Sequence, residues 1–120
     1  VGAGLRPVAG VADLAAARAE VARVTVAPEV TAYVVDLARA TRTSSALRLG
    51  VSPRGAVALV TAARAWAWLS GRDYVSPDDV KALARPALRH RVSLRPEAEL
   101  EGVTADAVLE GILATVATPR

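Results

Sequence analysis

The apolar side chains of this chain are almost all small aliphatic ones, and this limits the folds that can bury them. Hydrophobic residues make up 52% of the 120 positions, yet two Trp and two Tyr are the only aromatics, and Phe, Met and Cys are absent. A hydrophobic core of Ala, Val and Leu must pack its elements closely, and alanine is the strongest helix former. We therefore expect one domain of alanine-rich helices, large enough to need no disulfide or thiolate metal site.

Apolar residues recur every three or four positions in several segments, which indicates helices. The segment that begins at Pro53 is apolar nearly all round, with Val57 on one side and Trp66 and Leu69 on another, so we expect it to lie centrally. No convincing hairpin signal is present, and we predict an all-α fold, a small bundle of about five helices. The predicted helices are Asp13–Val24, Pro28–Thr43, Pro53–Ser70, Pro77–His90 and one that starts after Thr104.

The chain divides into a leading part and a main helical part. Residues 1–24 combine a linker containing Gly and Pro with the short first helix, whose apolar face we expect to include Leu14, Ala17 and Val21. Residues 25–120 form the predicted helical domain. The sequence does not begin with Met, and we expect it to be a piece of a longer protein.

Glycine and proline mark the predicted ends of the helices. Gly71 suits a left-handed stop for the third helix. Pro86 falls inside the fourth helix, which we expect it to kink or interrupt, because proline lacks the backbone N–H. The stretch from Val92 to Gly102 is predicted to be a polar connection.

Two helices begin with the same Ser-Pro pair but continue with opposite charges. Ser52 and Ser76 are N-cap candidates, and a proline suits the first helical position. Ser76 is followed by two carboxylates, of which Asp79 is placed to complete a capping box. Ser52 is followed instead by Arg54, although a helix N-terminus disfavours a cation by about 0.3–1 kcal/mol. Arg54 is thus either a solvated surface arginine or one that meets an anion such as phosphate.

The sequence lacks the common catalytic motifs. A phosphate-binding P-loop needs Gly-Lys-Ser/Thr, and Lys81, the single lysine, follows Val80. One histidine, His90, gives little material for a metal site or a catalytic triad. Asp78 and Asp79 are adjacent and point about 100° apart on a helix. We therefore expect no metal site and no enzymatic activity from these residues alone.

Charge and hydropathy limit the kinds of partner that we expect for this chain. The net charge of +3 comes almost wholly from arginine, and arginine spread over several helices is more often solvated surface than a nucleic-acid-reading stripe. No apolar run approaches the ~20 residues of a membrane span, and the first residues lack the order of a signal peptide.

Four short motifs follow one another along the chain. They are Ala40-Thr41-Arg42, Leu49-Gly50-Val51-Ser52-Pro53-Arg54-Gly55, Gly71-Arg72-Asp73-Tyr74-Val75-Ser76-Pro77-Asp78-Asp79-Val80 and Leu88-Arg89-His90-Arg91. In this order and spacing they closely resemble the C-terminal helical lid of MoxR-family AAA+ ATPases and, more distantly, the lids of magnesium-chelatase ATPase subunits. The resemblance covers residues 24–119.

The resemblance implies a role for Arg54. In that family the corresponding arginine, sensor 2, reaches from the lid to the γ-phosphate of ATP held by a separate ATPase domain, whose motifs are absent from these residues. Ser52, Pro53 and Gly55 are expected to support it by fixing the helix start. Arg42 and Arg72 also match family positions, and for both a nucleotide contact and a bracing or subunit contact remain open. ATP and Mg²⁺ are thus implied for the longer parent protein, with neither bound by these residues alone.

The resemblance also implies partners. These are the ATPase domain, neighbouring subunits of a hexameric ring, client proteins that are remodelled or loaded with metal, and proteins with von Willebrand factor A domains, all in the cytoplasm. Two other functions stay open from the residues themselves. One is a basic helical nucleic-acid-binding module, and the other is a plain protein-interaction domain.

Overall fold

The computed structural model describes residues 4–120, so the first three residues of the predicted linker lie outside the described part. Within it the chain forms six helices and two short strands. They are α1 (Val11–Ala22), α2 (Pro28–Thr43), β1 (Leu47–Leu49), α3 (Pro53–Leu69), α4 (Pro77–Leu88), β2 (Ser93–Leu94), α5 (Pro96–Leu100) and α6 (Ala105–Thr115). The predicted all-α fold class is confirmed.

The hydrophobic core lies where α2, α3, α4 and α6 meet. Its members are Val, Leu and Ala together with one Tyr, as the composition predicts, and the fully buried alanines let α3 and α4 pack closely. Val75 and Val80 flank the cap of α4, and both are buried in this core, as a hydrophobic staple predicts. The buried hydrophobic residues of the core are Val24, Val30, Tyr33, Val34, Leu37, Ala38, Val51, Leu59, Ala63, Ala67, Val75, Val80, Ala84, Leu88 and Leu109.

Helix α3 contacts α1, α2 and α4, in agreement with a central position, but it is not buried all round. Its covered face carries Leu59, Ala63 and Ala67, spaced one helical turn apart. Val57 is 65% exposed and Leu69 is 71% exposed. Helix α3 is therefore central, as expected, but each of its two apolar sides keeps an exposed residue, Val57 on one and Leu69 on the other.

The first helix also differs from its prediction. It runs two residues earlier than expected, from Val11 to Ala22, because the Asp13 carboxylate accepts from the Gly10 N–H at 2.8 Å and fixes the start there. None of its side chains is buried, and Leu14 on the predicted apolar face is 62% exposed. A hydrogen bond from the Trp68 indole to Glu20, at 2.7 Å, connects α1 to α3.

The connections hold structure that helical periodicity did not predict. Strands β1 and β2 pair antiparallel, with Leu47 opposite Leu94. Within the predicted polar connection, α5 forms one short helix with Pro96 in its first turn. Helix α4 continues through Pro86 to Leu88, so the proline does not interrupt it, and Gly71 ends the α3 region with φ +80° as predicted. Across residues 4–120, no helix has both the length and the apolarity needed to cross a membrane.

Candidate functional site

The start of α3 has the predicted cap. Ser52 adopts an extended backbone, and its Oγ accepts a hydrogen bond from the Gly55 N–H at 3.1 Å. Its carbonyl accepts from the Ala56 N–H at 3.0 Å. Pro53 stands at the first helical position, as predicted, and needs no N–H there. The direction in which the following residue leaves the helix is thus fixed by the cap.

The loop before this cap is attached to the end of α2. The buried Thr41 hydroxyl donates to the Ala38 carbonyl at 2.6 Å and accepts from the Val51 N–H at 2.8 Å. The Arg42 Nε–H donates to the Val51 carbonyl at 2.9 Å. Both backbone polar groups of Val51 are therefore bound by neighbouring side chains of α2. Arg42 braces the loop, and its contact to a nucleotide stays a prediction.

Two glycines allow the close approach of these segments. A Cβ on Gly50 would lie 2.7 Å from the Arg42 nitrogen and 2.8 Å from its Cα, so only glycine fits against the backbone of α2. A Cβ on Gly55 would lie 2.8 Å from Cγ1 of Val51 and 3.3 Å from Cδ of Arg91. Gly55 therefore supports the site by making room for the loop. Motif reasoning did not select Thr41 or Gly50 as site residues, because their partners are set by packing.

Arg54 projects from this rigid start into solvent. It is exposed, and no described residue from 4 to 120 forms a side-chain hydrogen bond or an ion pair with its guanidinium. The first turn of α3 contains no acidic residue. Arg54 therefore keeps its five N–H donors available for a partner outside these residues.

The start of α4 is arranged differently. Asp79 is 3% exposed, and its carboxylate accepts from the Ser76 N–H at 2.7 Å, which completes the predicted capping box. The same carboxylate binds both terminal nitrogens of Arg72, at 2.5 and 2.6 Å. Arg72 is thus engaged within the chain. Sequence reasoning missed this pair because the two residues lie on either side of a turn that no helical or strand period describes.

This pairing shifts the pKa values of both Arg72 and Asp79. Burial raises the pKa of Asp79, but the hydrogen bonds from Arg72 and Ser76 outweigh it, and the pKa lies below the ordinary value of an aspartate. The hydrogen bond with Asp79 raises the pKa of Arg72. The pair is therefore charged throughout the neutral range and acts as a brace for the α3–α4 connection.

A groove of about 560 Å³ runs between α2 and α3 from the turn that carries Arg54. Its walls are mostly apolar, and the charged groups that line it are all arginines, Arg39, Arg42 and Arg64. The Nε of Arg64 is buried and has no hydrogen-bond partner among residues 4–120. The lining residues are Val26, Thr31, Val34, Val35, Ala38, Arg39, Arg42, Pro53, Ala56, Val57, Val60, Thr61 and Arg64.

The described residues were also compared with the side-chain groups that bind metal ions. Within residues 4–120 no group of three or more His, Cys, Asp or Glu side chains is placed to hold a metal ion. Arg89, which directly precedes His90, pairs with Asp106 at 3.0 Å.

Known proteins match this chain along most of its length. The YeaC protein of Bacillus subtilis is 42% identical over 96% of the chain, and the MoxR protein of Paracoccus denitrificans is 36% identical over 99% of it. A protein named Chaperone MoxR1, from Mycobacterium tuberculosis, is 36% identical over 73% of the chain. The chain spans 36%, 39% and 26% of the lengths of these relatives, respectively.

A solved structure has the same fold. A protein from Cytophaga hutchinsonii, named as a candidate ATPase, superposes with a TM-score of 0.81 and 34% identity, over 85% of this chain and 34% of its own. The family model described as AAA lid domain matches residues 39–112, which include the end of α2, the α3 start and all of α4. The chain therefore belongs to the AAA lid domain family and is a lid of the MoxR type.

Proposed function

We propose that this chain is the lid of a MoxR-type AAA+ ATPase and that Arg54 contacts the terminal phosphate of ATP bound by an ATPase domain elsewhere in the parent protein. The observation that carries the proposal is the exposed guanidinium of Arg54, which has no partner among residues 4–120 and stands on a helix start that Ser52, Thr41 and Arg42 hold rigid. A guanidinium matches the geometry of phosphate oxygens and can bind two of them at once.

The local electrostatics support an anion at this position. The N-terminal turn of α3 carries a partial positive charge, and Arg54 adds a full one, with no acid in the turn to offset them. An incoming phosphate removes this repulsion and gains charge-assisted hydrogen bonds. ATP with Mg²⁺ would supply the transferable phosphoryl group, while Arg54 would bind its terminal oxygens and tie the lid to them.

This contact gives the lid a mechanical role. Because Ser52 and the Val51 backbone fix the start of α3 against α2, a pull on Arg54 moves the helices together rather than one side chain. Arg54 then holds the lid closed while a terminal phosphate is present and releases it when that phosphate leaves. The arginine-rimmed groove between α2 and α3 offers further surface for a negatively charged or partly apolar ligand beside it.

We also propose that this motion serves chaperone-like remodelling or metal insertion in client proteins, within a hexameric ring of ATPase subunits. The support is the membership in the MoxR group, which includes a protein named Chaperone MoxR1. Proteins with von Willebrand factor A domains are further proposed partners.

The test is Arg54→Ala in the full-length parent protein, with Arg89→Ala as a matched control. Arg89 is also an exposed arginine, but it pairs with Asp106 on α6. Loss of a charge-assisted hydrogen bond costs about 1.5–3 kcal/mol, so we expect the ATPase rate of Arg54→Ala to fall about 10- to 100-fold. Both variants should stay folded by circular dichroism, and the free energy of unfolding of each should change by no more than about 1 kcal/mol, the contribution of a helix-end charge or an exposed ion pair. A rate equal to that of the control would contradict the role of Arg54.

A further inference from the structure

The side chain of Arg91, a residue just after α4, packs against the first turn of α3. It follows α4, where its backbone N–H donates to the Leu88 carbonyl at 2.8 Å and turns the chain. Its side-chain Cδ then lies 3.3 Å from the position that a Cβ on Gly55 would occupy. The aliphatic stem of Arg91 therefore packs beside the residue that directly follows Arg54.

The neighbouring arginines provide a comparison within the same chain. Arg72 pairs with Asp79, Arg89 with Asp106 at 3.0 Å, and Arg85 lies 4.0 Å from Glu110. Among residues 4–120, neither Arg54 nor Arg91 has an acidic partner or a side-chain hydrogen bond. Among the described residues, three arginines around α4 thus have acidic partners, whereas Arg54 and Arg91, beside the first turn of α3, have none.

Two cations next to the positive end of a helix repel each other unless an anion joins them. Gly55 makes this juxtaposition possible, because a side chain there would crowd both Val51 and the Arg91 stem. The guanidinium extends about 3–4 Å beyond Cδ along its covalent bonds, so it lies within reach of the same turn.

We propose that Arg91 is a second phosphate-binding residue and forms, with Arg54, an arginine pair that takes the polyphosphate of a nucleoside triphosphate. This rests on the proposed function of Arg54 and extends it. A pair of guanidinium groups can bind two adjoining phosphate groups at once, whereas a single one binds the terminal group alone. Arg91 therefore adds affinity for a polyphosphate that a lone terminal contact does not supply.

The experiment compares four variants of the full-length parent protein, Arg91→Met, Arg91→Lys, Arg54→Ala and Arg89→Ala. Arg91→Met keeps an unbranched apolar side chain against Gly55 and removes only the charge, so it separates phosphate binding from packing. The measurements are the affinity for a non-hydrolysable ATP analogue, the affinity for AMP, kcat and KM. Thermal unfolding of each variant checks that the lid stays folded.

We expect Arg91→Met to weaken binding of the ATP analogue about tenfold, the effect of one lost charge-assisted contact, and to raise KM. The affinity for AMP should change less than twofold, and Arg91→Lys should recover part of the loss. If Arg91→Met matches Arg89→Ala while Arg54→Ala is impaired, the pair is wrong and the role of Arg54 stands. If Arg54→Ala also matches the control, both proposals fail.

Discussion

The starts of α3 and α4 share the Ser-Pro signal but differ in their charged residues. We call the α4 start closed, because its acid is paired within the chain, and the α3 start open, because its arginine has no partner among residues 4–120. At α4 the capping carboxylate of Asp79 is buried and bound by Ser76 and Arg72. At α3 the Ser52 cap is present, but the next charged residue, Arg54, forms no ion pair with any acid among residues 4–120. The comparison teaches that the cap fixes only where a helix begins, and that the same cap can be followed by a buried, paired acid or by an exposed arginine with no partner among residues 4–120.

The largest expected effect comes from breaking the closed start. Asp79→Ala removes the capping box and leaves the Arg72 guanidinium without its carboxylate. We expect the free energy of unfolding of the chain to fall by about 2–4 kcal/mol, from a lost cap and a lost charged hydrogen bond. Chemical denaturation of the 120-residue chain measures it. Asp78→Ala, on the exposed neighbour in the same turn, is the control and should cost only its helix-dipole contribution, about 0.3–1 kcal/mol.

The next effect tests whether the open start can be converted into a closed one. Arg54→Asp places an acid in the first turn of α3, where it suits the helix dipole and should add about 0.3–1 kcal/mol of stability. The same change should lower the ATPase rate of the parent protein at least about tenfold, since a carboxylate repels phosphate. Denaturation and steady-state hydrolysis measure the two. A variant that is more stable but hydrolyses ATP at the normal rate would contradict the role of Arg54 in phosphate binding.

The third effect is the pH dependence of the closed start. The pKa of Asp79 is lowered in the folded chain, so its carboxylate stabilises the fold above the ordinary aspartate pKa, and this stability is lost as the pH falls through the lowered value. Melting temperatures between pH 7 and pH 2 should fall for the wild type and fall less steeply for Asp79→Asn. The effect is smaller than that of Asp79→Ala, because a protonated carboxyl still forms hydrogen bonds. Equal slopes would show that Asp79 does not titrate as the structure implies.

The smallest effect concerns the cap of the open start alone. Ser52→Ala removes the acceptor of the Gly55 N–H and should cost about 1 kcal/mol of stability. Ser76→Ala should cost more, because its hydroxyl also donates to the buried Asp79 carboxylate at 3.1 Å. Parallel denaturation of the two variants measures the difference. A larger loss at Ser52 would show that the loop before α3 depends on the cap more than on Thr41 and Arg42.

Local signals predicted the central part of the fold well. Proline at the first position fixed the starts of α2, α3 and α4, serine predicted both caps, and Gly71 adopts the expected positive φ. These signals are strong because each depends only on the backbone within one turn. The same reasoning singled out Arg54, which is exposed in the structure, and its contact with phosphate stays a prediction.

Features that depend on distant residues could not be predicted. The pairing of Leu47 with Leu94, the fit of Gly50 against Arg42 and the Arg72–Asp79 pair all join segments whose approach is set by packing. An apolar pattern likewise says that a helix face can be covered, but not what covers it. This is why the pattern could place Leu14 and Leu69 on apolar helix faces but could not predict that both side chains are exposed.

Because of the hydrogen bond between Trp68 and Glu20, the fluorescence of Trp68 can report whether α1 is attached to α3. It joins α1 to the helix that carries Arg54. The Trp68 indole N–H donates to the Glu20 carboxylate at 2.7 Å. If α1 separates from α3, this indole exchanges the carboxylate for water, and its fluorescence emission changes. Trp66→Phe would leave Trp68 as the single tryptophan. The attachment of the leading helix to α3 can then be followed by the intrinsic fluorescence of the 120-residue chain.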